Sequence, residues 1–394
     1  MTTPDQGQPA ARASRRSTTP VRSAGLLPIP IYLHVPFCKS RCRYCDFYST
    51  TRLDQLDAYT DALIRAIAAA PLDNRTAETI YFGGGTPSLL GVRLLDILSA
   101  LRQRLPILPG AEITLEANPG TVDFATLSAL RQGGFNRISF GLQSNRDSTL
   151  RQLGRAHNAS QGVQAVELAR QAGFDNISVD LMLGLPGQDS AAVQELCQMA
   201  IDLHAPHLSA YLLQVEPGTP FWEEGIAALC PDPDQSADLY LAACDCLKAA
   251  GYRHYEISNF ALPGYESRHN SAYWRLTDYL GIGPGAHSLL GTKRFYFPSD
   301  LDGFLAAPTV WDTLVPDGDG GGWEEYVMLS LRLREGLSLE HLSRCYGLDS
   351  RQLQARAKPL VAEGLAEVMG DRLFLTDRGF LVSNSVINFL TNGL

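Results

Sequence analysis

From residue 29 onward, short apolar runs alternate with longer amphipathic segments. IPIYLHVPF (29–37) is short and dense in apolar residues, which predicts a buried strand. LDQLDAYTDALIRAIAAA (53–70) places Leu56, Tyr59, Leu63 and Ile67 on one stripe, which predicts a helix with one buried face. The pattern continues with strands over 78–85, 111–119, 136–144, 175–186 and 207–217. Helices are expected between them, over 88–104, 123–132, 160–173 and 190–204. Pro119 stops the third strand, and Gly173 closes the helix that precedes the fifth.

Six strands separated by helices predict parallel pairing through right-handed crossovers. Six units, where a closed barrel needs eight, predict an α/β fold built as an incomplete (β/α)6 barrel. Ligands gather at the C-terminal ends of such strands. The polar and glycine-rich positions fall there: Cys38 to Cys45 after strand one, Gly83 to Thr86 after strand two, Glu116, Gln143 and Asp180 in strands three to five.

After residue 217 the pattern loosens. One helix is expected over 234–250, followed by irregular, aromatic-rich chain to about 300. GDGGG (318–322) reads as a linker. Beyond it, helices over 323–333, 338–345 and 349–363, a hairpin over 365–376 turning at Gly-Asp, and a last helix over 377–391 predict a small, mostly helical, winged-helix-like domain. The expected organisation is thus a tail (1–28), a barrel core (29–217), a flanking extension (218–320) and a C-terminal domain (321–394). A winged helix raises DNA binding, but residues 323–394 hold eight basic and nine acidic side chains and no basic recognition face.

Composition narrows the function classes. The 394 residues are 45% hydrophobic and 19% charged, which excludes a mostly disordered chain and a disulfide-dense mini-domain. The net charge of −9 argues against nucleic acid or an anionic membrane as the main partner. No apolar run is long enough for a transmembrane span. Residues 1–28, with four Arg, one Asp and no apolar stretch, read as a disordered tail. An over-long start and a transit peptide are the alternatives.

Of eight cysteines, three cluster as C38-K-S-R-C42-R-Y-C45. The other five are scattered and read as small buried hydrophobes. A clustered trio without a secretory signal points to metal ligation in a reducing, cytoplasmic setting. Three thiolates from one loop can hold three irons of a 4Fe–4S cubane and leave the fourth open to a small molecule. Zinc, with Asp46 or His34 as fourth ligand, is the competing assignment. G83-G-G-T-P87 offers close backbone approach to a ligand, or else only a tight strand-to-helix turn. G281-I-G-P-G-A286 superficially fits a dinucleotide fingerprint, but Pro284 and the lack of a following helix count against it.

The cysteine run resembles the signature of radical S-adenosylmethionine (SAM) proteins. YLHVPFCKSRCRYCDF, YFGGGTPSLL, ITLEANPGT, RISFGLQS, LGRAH, VDLMLGLPGQ and HNSAYW occur in the order found in the coproporphyrinogen-dehydrogenase-like radical SAM family. The resemblance runs from residue 30 to about 390 and implies a radical SAM barrel with a C-terminal helical domain. It implies a 4Fe–4S cluster on Cys38, Cys42 and Cys45, whose open iron chelates SAM for reductive cleavage. It implies SAM contacts at Tyr32, Gly84 and Glu116. It further implies that Tyr44, Gly85, Thr86, Gln143, Arg155, Asp180 and Gln214 occupy positions that hold a second SAM in the dehydrogenase. Two have a plainer alternative: Asp180 as a cap for a neighbouring group, Arg155 as a surface ion pair.

Two departures separate this chain from the dehydrogenase pattern. A further cysteine two residues after the third cluster ligand is replaced by Phe47, and only about 28 low-complexity residues precede strand one. Both fit the heme-chaperone branch, where H269-N-S-A-Y-W274 is linked to heme. His269 is then expected as an axial ligand, with an ordinary hydrogen-bonded histidine as the alternative. His34, His157 and His287 are weaker candidates. The implied function is a cytoplasmic chaperone that carries heme as cargo to acceptor hemoproteins, some of them reached by peripheral membrane association. The rivals are the oxygen-independent dehydrogenase, which decarboxylates two propionates, and a radical SAM enzyme with another substrate.

Overall fold

The computed structural model describes residues 26–392. Six parallel strands carry the architecture: β1 (Leu27–Val35), β2 (Arg75–Gly84), β3 (Ile107–Ala117), β4 (Arg137–Gln143), β5 (Asn176–Leu183) and β6 (His207–Leu212). The helices that follow are α1 (Leu56–Ala68), α2 (Arg93–Arg104), α3 (Phe124–Gly133), α4 (Asp147–Gln152), α5 (Ala159–Gln171), α6 (Ser190–Asp202), α7 (Pro220–Glu223), α8 (Pro233–Ala249) and α9 (Arg268–Trp274). The expected tail over 1–28 lies outside the described residues except for its last three, and Leu27 and Pro28 already belong to β1.

The strand faces explain the layering. Ile31, Leu33 and Val35 of β1, Ile80 and Phe82 of β2, Ile138, Phe140 and Leu142 of β4, and Val179, Leu181 and Leu183 of β5 are all buried. They belong to one hydrophobic core, and Leu142 packs against Gly162 of α5. The intervening positions are polar: Tyr32 and His34, Thr79 and Tyr81, Thr114 and Glu116, Arg137 and Ser139, Ser178 and Asp180, His207 and Ser209. Register aligns these into rows, since Tyr32 pairs with Tyr81, Tyr81 with Thr114, and Thr114 with Arg137. Glu116, Ser139, Ser178 and His207 form another row. Parallel strands buried on both faces usually carry near-continuous apolar runs. Here the inner face is polar, so the curved sheet encloses a lumen suited to a polar ligand.

The sheet is larger than the pattern predicts. β7 (Arg253–Glu256), β8 (Asn259–Ala261) and β9 (Leu280–Ile282) extend it to nine strands, in the order β7-β8-β6-β5-β4-β3-β2-β1-β9. β8 runs antiparallel to β6, β9 runs parallel to β1, and the two ends do not pair, so the barrel is unclosed. The segment expected to be irregular therefore forms both edges; strands of three or four residues show too few positions to reveal a period of two. The expected linker at 318–322 is likewise partly strand: Val315–Asp319 completes a small antiparallel sheet with His287–Leu290 and Lys293–Tyr296. The stretch at 281–286 is β9 and its exit, followed by a strand and not by a helix.

The C-terminal region has helices Trp323–Ser330, Leu339–Tyr346 and Ser350–Ala362, then a hairpin of Ala366–Met369 and Arg372–Leu375. The expected last helix is broken in two, Asp377–Leu381 and Ser383–Thr391. Its core is continuous with that of the barrel, in one cluster running from Ile29 to Leu390. The Arg334 N–H donates to Tyr255 O at 2.9 Å, and the Ile257 N–H to Arg332 O at 3.0 Å. No helix among the described residues is long and apolar enough to cross a membrane.

Candidate functional site

β1 leaves the sheet at Val35 and enters the cysteine loop. The loop is pinned at its base, where Cys38 N–H donates to Thr50 O at 2.9 Å and Thr50 N–H to Pro36 O at 2.6 Å. The glycine loop after β2 lies alongside: Gly85 N–H donates to Val35 O at 2.9 Å, and Thr86 N–H to Phe37 O at 2.7 Å. That proximity needs glycine. A Cβ on Gly85 would stand 2.7 Å from Phe37 O and 3.1 Å from Cys38 Sγ. Gly84 has φ +112°, and a Cβ there would meet the His34 ring at 2.7 Å.

Cys38, Cys42 and Cys45 are free and half-buried. Burial pushes the Cys38 and Cys45 thiols up, so ligation must release their protons. Among the described residues, the only three such donors within 4.8 Å of one another are those of Cys244, His254 and Asp377. The three loop thiols are thus not all within 4.8 Å of one another, whereas ligands of one zinc ion lie about 3.8 Å apart at Zn–S of about 2.3 Å. His34 is not available to zinc either: Nδ1 meets Tyr32 Oη at 3.0 Å and Nε2 meets Tyr48 O at 3.1 Å. The donor set therefore fits a cluster larger than a single ion. Cys244, His254 and Asp377 do not make a metal site, because Lys248 and Arg334 already occupy the Asp377 carboxylate.

Most of the expected SAM positions converge on this mouth. Glu116 accepts from Tyr81 Oη at 2.6 Å and from the Gly84 N–H at 3.2 Å. Burial raises its carboxyl to about 7 against the pull of those two donors. Asp180 is also raised by burial, and it accepts from Ser139 Oγ at 3.2 Å. Arg155 is no surface ion pair. Its Nη1 reaches Cys42 Sγ at 3.5 Å, and Nη2 donates to Gly141 O at 2.5 Å and to Asn118 Oδ1. Tyr44 packs its ring 6.4 Å from Phe221, and burial raises its phenol. Thr86 donates to Cys38 Sγ at 3.6 Å and accepts from Asn118 Nδ2 at 2.9 Å. Gln143 is buried at φ +66°, a strained backbone for a non-glycine residue, and accepts from Tyr211 Oη at 2.7 Å. A cleft of about 50 Å³ opens beside Cys42, Asn118 and Arg155.

Two expected residues are elsewhere. Gln214 is exposed beyond the end of β6 and makes no hydrogen bond in common with the others. His269 is fully buried inside the lumen on α9, remote in sequence from every strand it touches. Its Nδ1 meets Thr79 Oγ1 at 2.8 Å, and its Nε2 meets Tyr273 Oη at 2.7 Å. Both nitrogens meet hydroxyls here, which is the arrangement of the hydrogen-bonded alternative. His157 and His287 are partnered too. His157 is buried against Leu142 O at 3.4 Å, and His287 pairs with Asp317 at 3.5 Å.

Residues that the sequence motifs did not single out complete the site. Tyr81 orients Glu116, Asn118 links Arg155 to Thr86, and Tyr211 holds Gln143. Arg137 is buried on the inner face with Nε and Nη1 unpartnered. The signal that could have found them is the polar alternation of the inner strand faces. A groove of about 1280 Å³, lined by Glu167, Asp202, Asp238 and Asp245, lies among the outer helices and shares no residue with this site.

Comparison with known proteins agrees with the geometry. The family model described as the radical SAM superfamily matches residues 32–200, and that described as the HemN C-terminal domain matches 322–382. The heme chaperone HemW of Mycobacterium tuberculosis (strain H37Rv) is 37% identical, over 94% of this chain and 98% of its own. The heme chaperone HemW of Escherichia coli (strain K12) is 35% identical, over 92% and 98%. The solved structure of coproporphyrinogen III oxidase (HemN) from Escherichia coli superposes with a TM-score of 0.80 at 24% identity, covering 95% of this chain and 92% of that one. At that identity the likeness shows a shared fold.

Proposed function

The chain belongs to the HemW family of radical SAM proteins, and from that membership we propose that it is a heme chaperone of the cytoplasm. In this reading Cys38, Cys42 and Cys45 hold a 4Fe–4S cluster, SAM is bound between the glycine loop and the lumen, and heme is carried to acceptor hemoproteins. Membrane hemoproteins would be met by peripheral association. The observation that carries the cofactor assignment is the set of three free thiols at the mouth of a polar lumen, beside a glycine whose Cβ would strike Cys38 Sγ.

The chain's own residues divide the work. Gly84 and Gly85 let backbone approach the ligand. Glu116, oriented by Tyr81, presents a carboxylate to SAM ammonium or ribose hydroxyls. Arg155 adds a cation beside Cys42, suited to a SAM carboxylate. Tyr32, Tyr44, Thr86, Gln143 and Asp180 line the remaining wall. A reduced cluster and bound SAM supply one-electron cleavage of a carbon–sulfur bond. Phe47, 68% exposed where the dehydrogenase pattern has a cysteine, supports the chaperone over the dehydrogenase.

One anaerobic preparation tests this. Reconstituted protein should hold about four iron and four sulfide per chain, bind SAM, and show a saturable absorption band on titration with hemin. It should not convert coproporphyrinogen. Conversion without saturable hemin binding would overturn the chaperone reading, and zinc without sulfide would overturn the cluster.

A further inference from the structure

The HNSAYW helix sets His269 against the polar inner face of the sheet, at Thr79 and Tyr81 of β2. α9 starts over Glu112, whose carboxylate accepts from the N–H groups of Arg268 at 3.0 Å and His269 at 3.1 Å. That anchor places the imidazole against Tyr81, with ring centroids 4.9 Å apart and planes at 24°. On another side Tyr81 meets Tyr32, at 6.2 Å and 29°. The Tyr81 hydroxyl has one strong acceptor, Glu116 Oε1 at 2.6 Å, and the other oxygen of that carboxylate receives the Gly84 N–H. A continuous line of contacts thus joins α9 to the glycine loop: His269, Tyr81, Glu116, Gly84.

We infer that His269 is a positioning residue for SAM binding. It fixes the Tyr81 ring so that the phenol holds the Glu116 carboxylate toward the glycine loop. Thr79 and Tyr273 hold both imidazole nitrogens, so the ring cannot turn away. The role deepens the proposed function and rests on Glu116 being a SAM acceptor. A phenol locked in its donor geometry loses little freedom when the carboxylate changes charge, whereas a loose one competes poorly with water.

The electrostatics are consistent. Burial lowers His269 to about 3, so the ring stays neutral throughout the working range. Glu116, raised by burial to about 7, is the group that changes charge. The ionisable side chains facing it are Tyr32 from β1, Tyr81 from β2, Arg137 from β4, Asp180 from β5 and Tyr273 from α9. The Tyr81 hydrogen bond favours the carboxylate, so loosening Tyr81 raises the pH at which Glu116 ionises.

The test is SAM affinity by calorimetry on anaerobically reconstituted protein, between pH 6 and 9, with iron content and thermal midpoint recorded for each variant. Wild-type affinity should rise with pH as Glu116 ionises. His269→Ala should weaken SAM about tenfold at neutral pH, the scale of one hydrogen bond to a charged group, and should move the inflection upward. Tyr81→Phe should do the same, and the double variant should be no worse than Tyr81→Phe alone. His269→Phe, which keeps a ring against Tyr81 but loses both nitrogen contacts, should bind SAM more tightly than His269→Ala and about threefold more weakly than wild type. If His269→Ala does not fold, Thr79→Val carries the same prediction at about threefold, the scale of a neutral hydrogen bond.

Wild-type affinity and inflection in a folded His269→Ala protein would overturn the inference, as would independent, multiplicative losses in the double variant. Glu116→Gln separates the two levels. If Glu116→Gln binds SAM as tightly as wild type, the SAM-site reading fails and this inference with it. If Glu116→Gln weakens SAM while His269→Ala does not, the positioning role alone fails.

Discussion

Arg155 sets its guanidinium against the Cys42 thiol, Nη1 to Sγ 3.5 Å, across 113 residues of sequence. The same group is tied by Nη2 to the Gly141 carbonyl of β4 and to Asn118 after β3. It therefore spans the cysteine loop and two strand ends. Arg155→Met should leave iron binding intact after reconstitution, because the thiols come from another loop. SAM affinity should fall by at least about tenfold. Arg155→Lys should rescue little, since an ammonium cannot reproduce the planar fork. Iron analysis and calorimetry on both variants check this, and loss of iron would place Arg155 in the support of the cluster loop.

The adjacent glycines should fail differently. Gly84→Ala places a Cβ on backbone at φ +112° and against the His34 ring, so it should cost about 1–3 kcal/mol from strain alone. Gly85→Ala meets Phe37 O and Cys38 Sγ, so its first effect should be on the cysteine loop. Reconstituted Gly85→Ala should hold less iron than wild type, whereas folded Gly84→Ala should retain iron and bind SAM weakly. Denaturant midpoints, iron content and SAM titration separate the two.

The barrel was legible wherever a strand was long. The predicted strands at 29–37, 78–85, 111–119, 136–144, 175–186 and 207–217 correspond to β1–β6, with ends displaced by a few residues. The cysteine and glycine loops were legible because their chemistry is written in consecutive residues. β7, β8 and β9 were not, being three or four residues long. The position of His269 depends on Thr79, 190 residues away, and on Glu112, 157 away from its own N–H, contacts that no local pattern encodes. Arg137 and Tyr81 were hidden in strands read only for their apolar positions, and their polar alternation points to the lumen once the register is known.

Buried imidazoles should make the cofactor-free protein acid-sensitive well above the carboxylate range. Burial lowers His34 and His157 to about 4 and His269 to about 3, and it also lowers His207 and His254. Between pH 4.5 and 6.5 these bind fewer protons folded than unfolded, so their contribution falls as pH drops below about 6.5. Glu116 and Glu256, raised to about 7, and Asp180 act with the opposite sign. His34, His157 and His269 outweigh Glu116 and Glu256 below about pH 6.5, with His207 and His254 acting in the same direction as the imidazoles and Asp180 in the other, so acidification gives a net loss of stability. Urea midpoints measured at pH 7, 6 and 5 should fall steadily. A flat profile would show that unfolding takes up no net protons in that range.

The last prediction concerns the joint between barrel and C-terminal region. Asp377, at the start of the helix after the hairpin, receives Lys248 from α8 and Arg334 from the C-terminal region, with His254 Nδ1 of β7 at 3.0 Å. Burial would raise its carboxyl, but the His254 and Lys248 hydrogen bonds and the Arg334 charge override that and hold it well below the usual carboxylate range. A depressed carboxyl stabilises the fold above its unfolded value of about 4 and loses that contribution as pH falls. Asp377→Asn leaves Lys248 and Arg334 facing each other beside a buried histidine without an anion. Breaking a half-exposed network of this kind costs about 1–3 kcal/mol, between an exposed pair and a fully buried one, and the loss should appear as a lower thermal midpoint. The cysteine loop lies at the other end of β1–β6 and shares no contact with this network, so iron content after reconstitution should be unchanged. Added zinc should not raise the midpoint of wild type, because Asp377 is already committed to its two cations. A zinc-dependent rise that Asp377→Asn abolishes would show instead that Cys244, His254 and Asp377 bind metal.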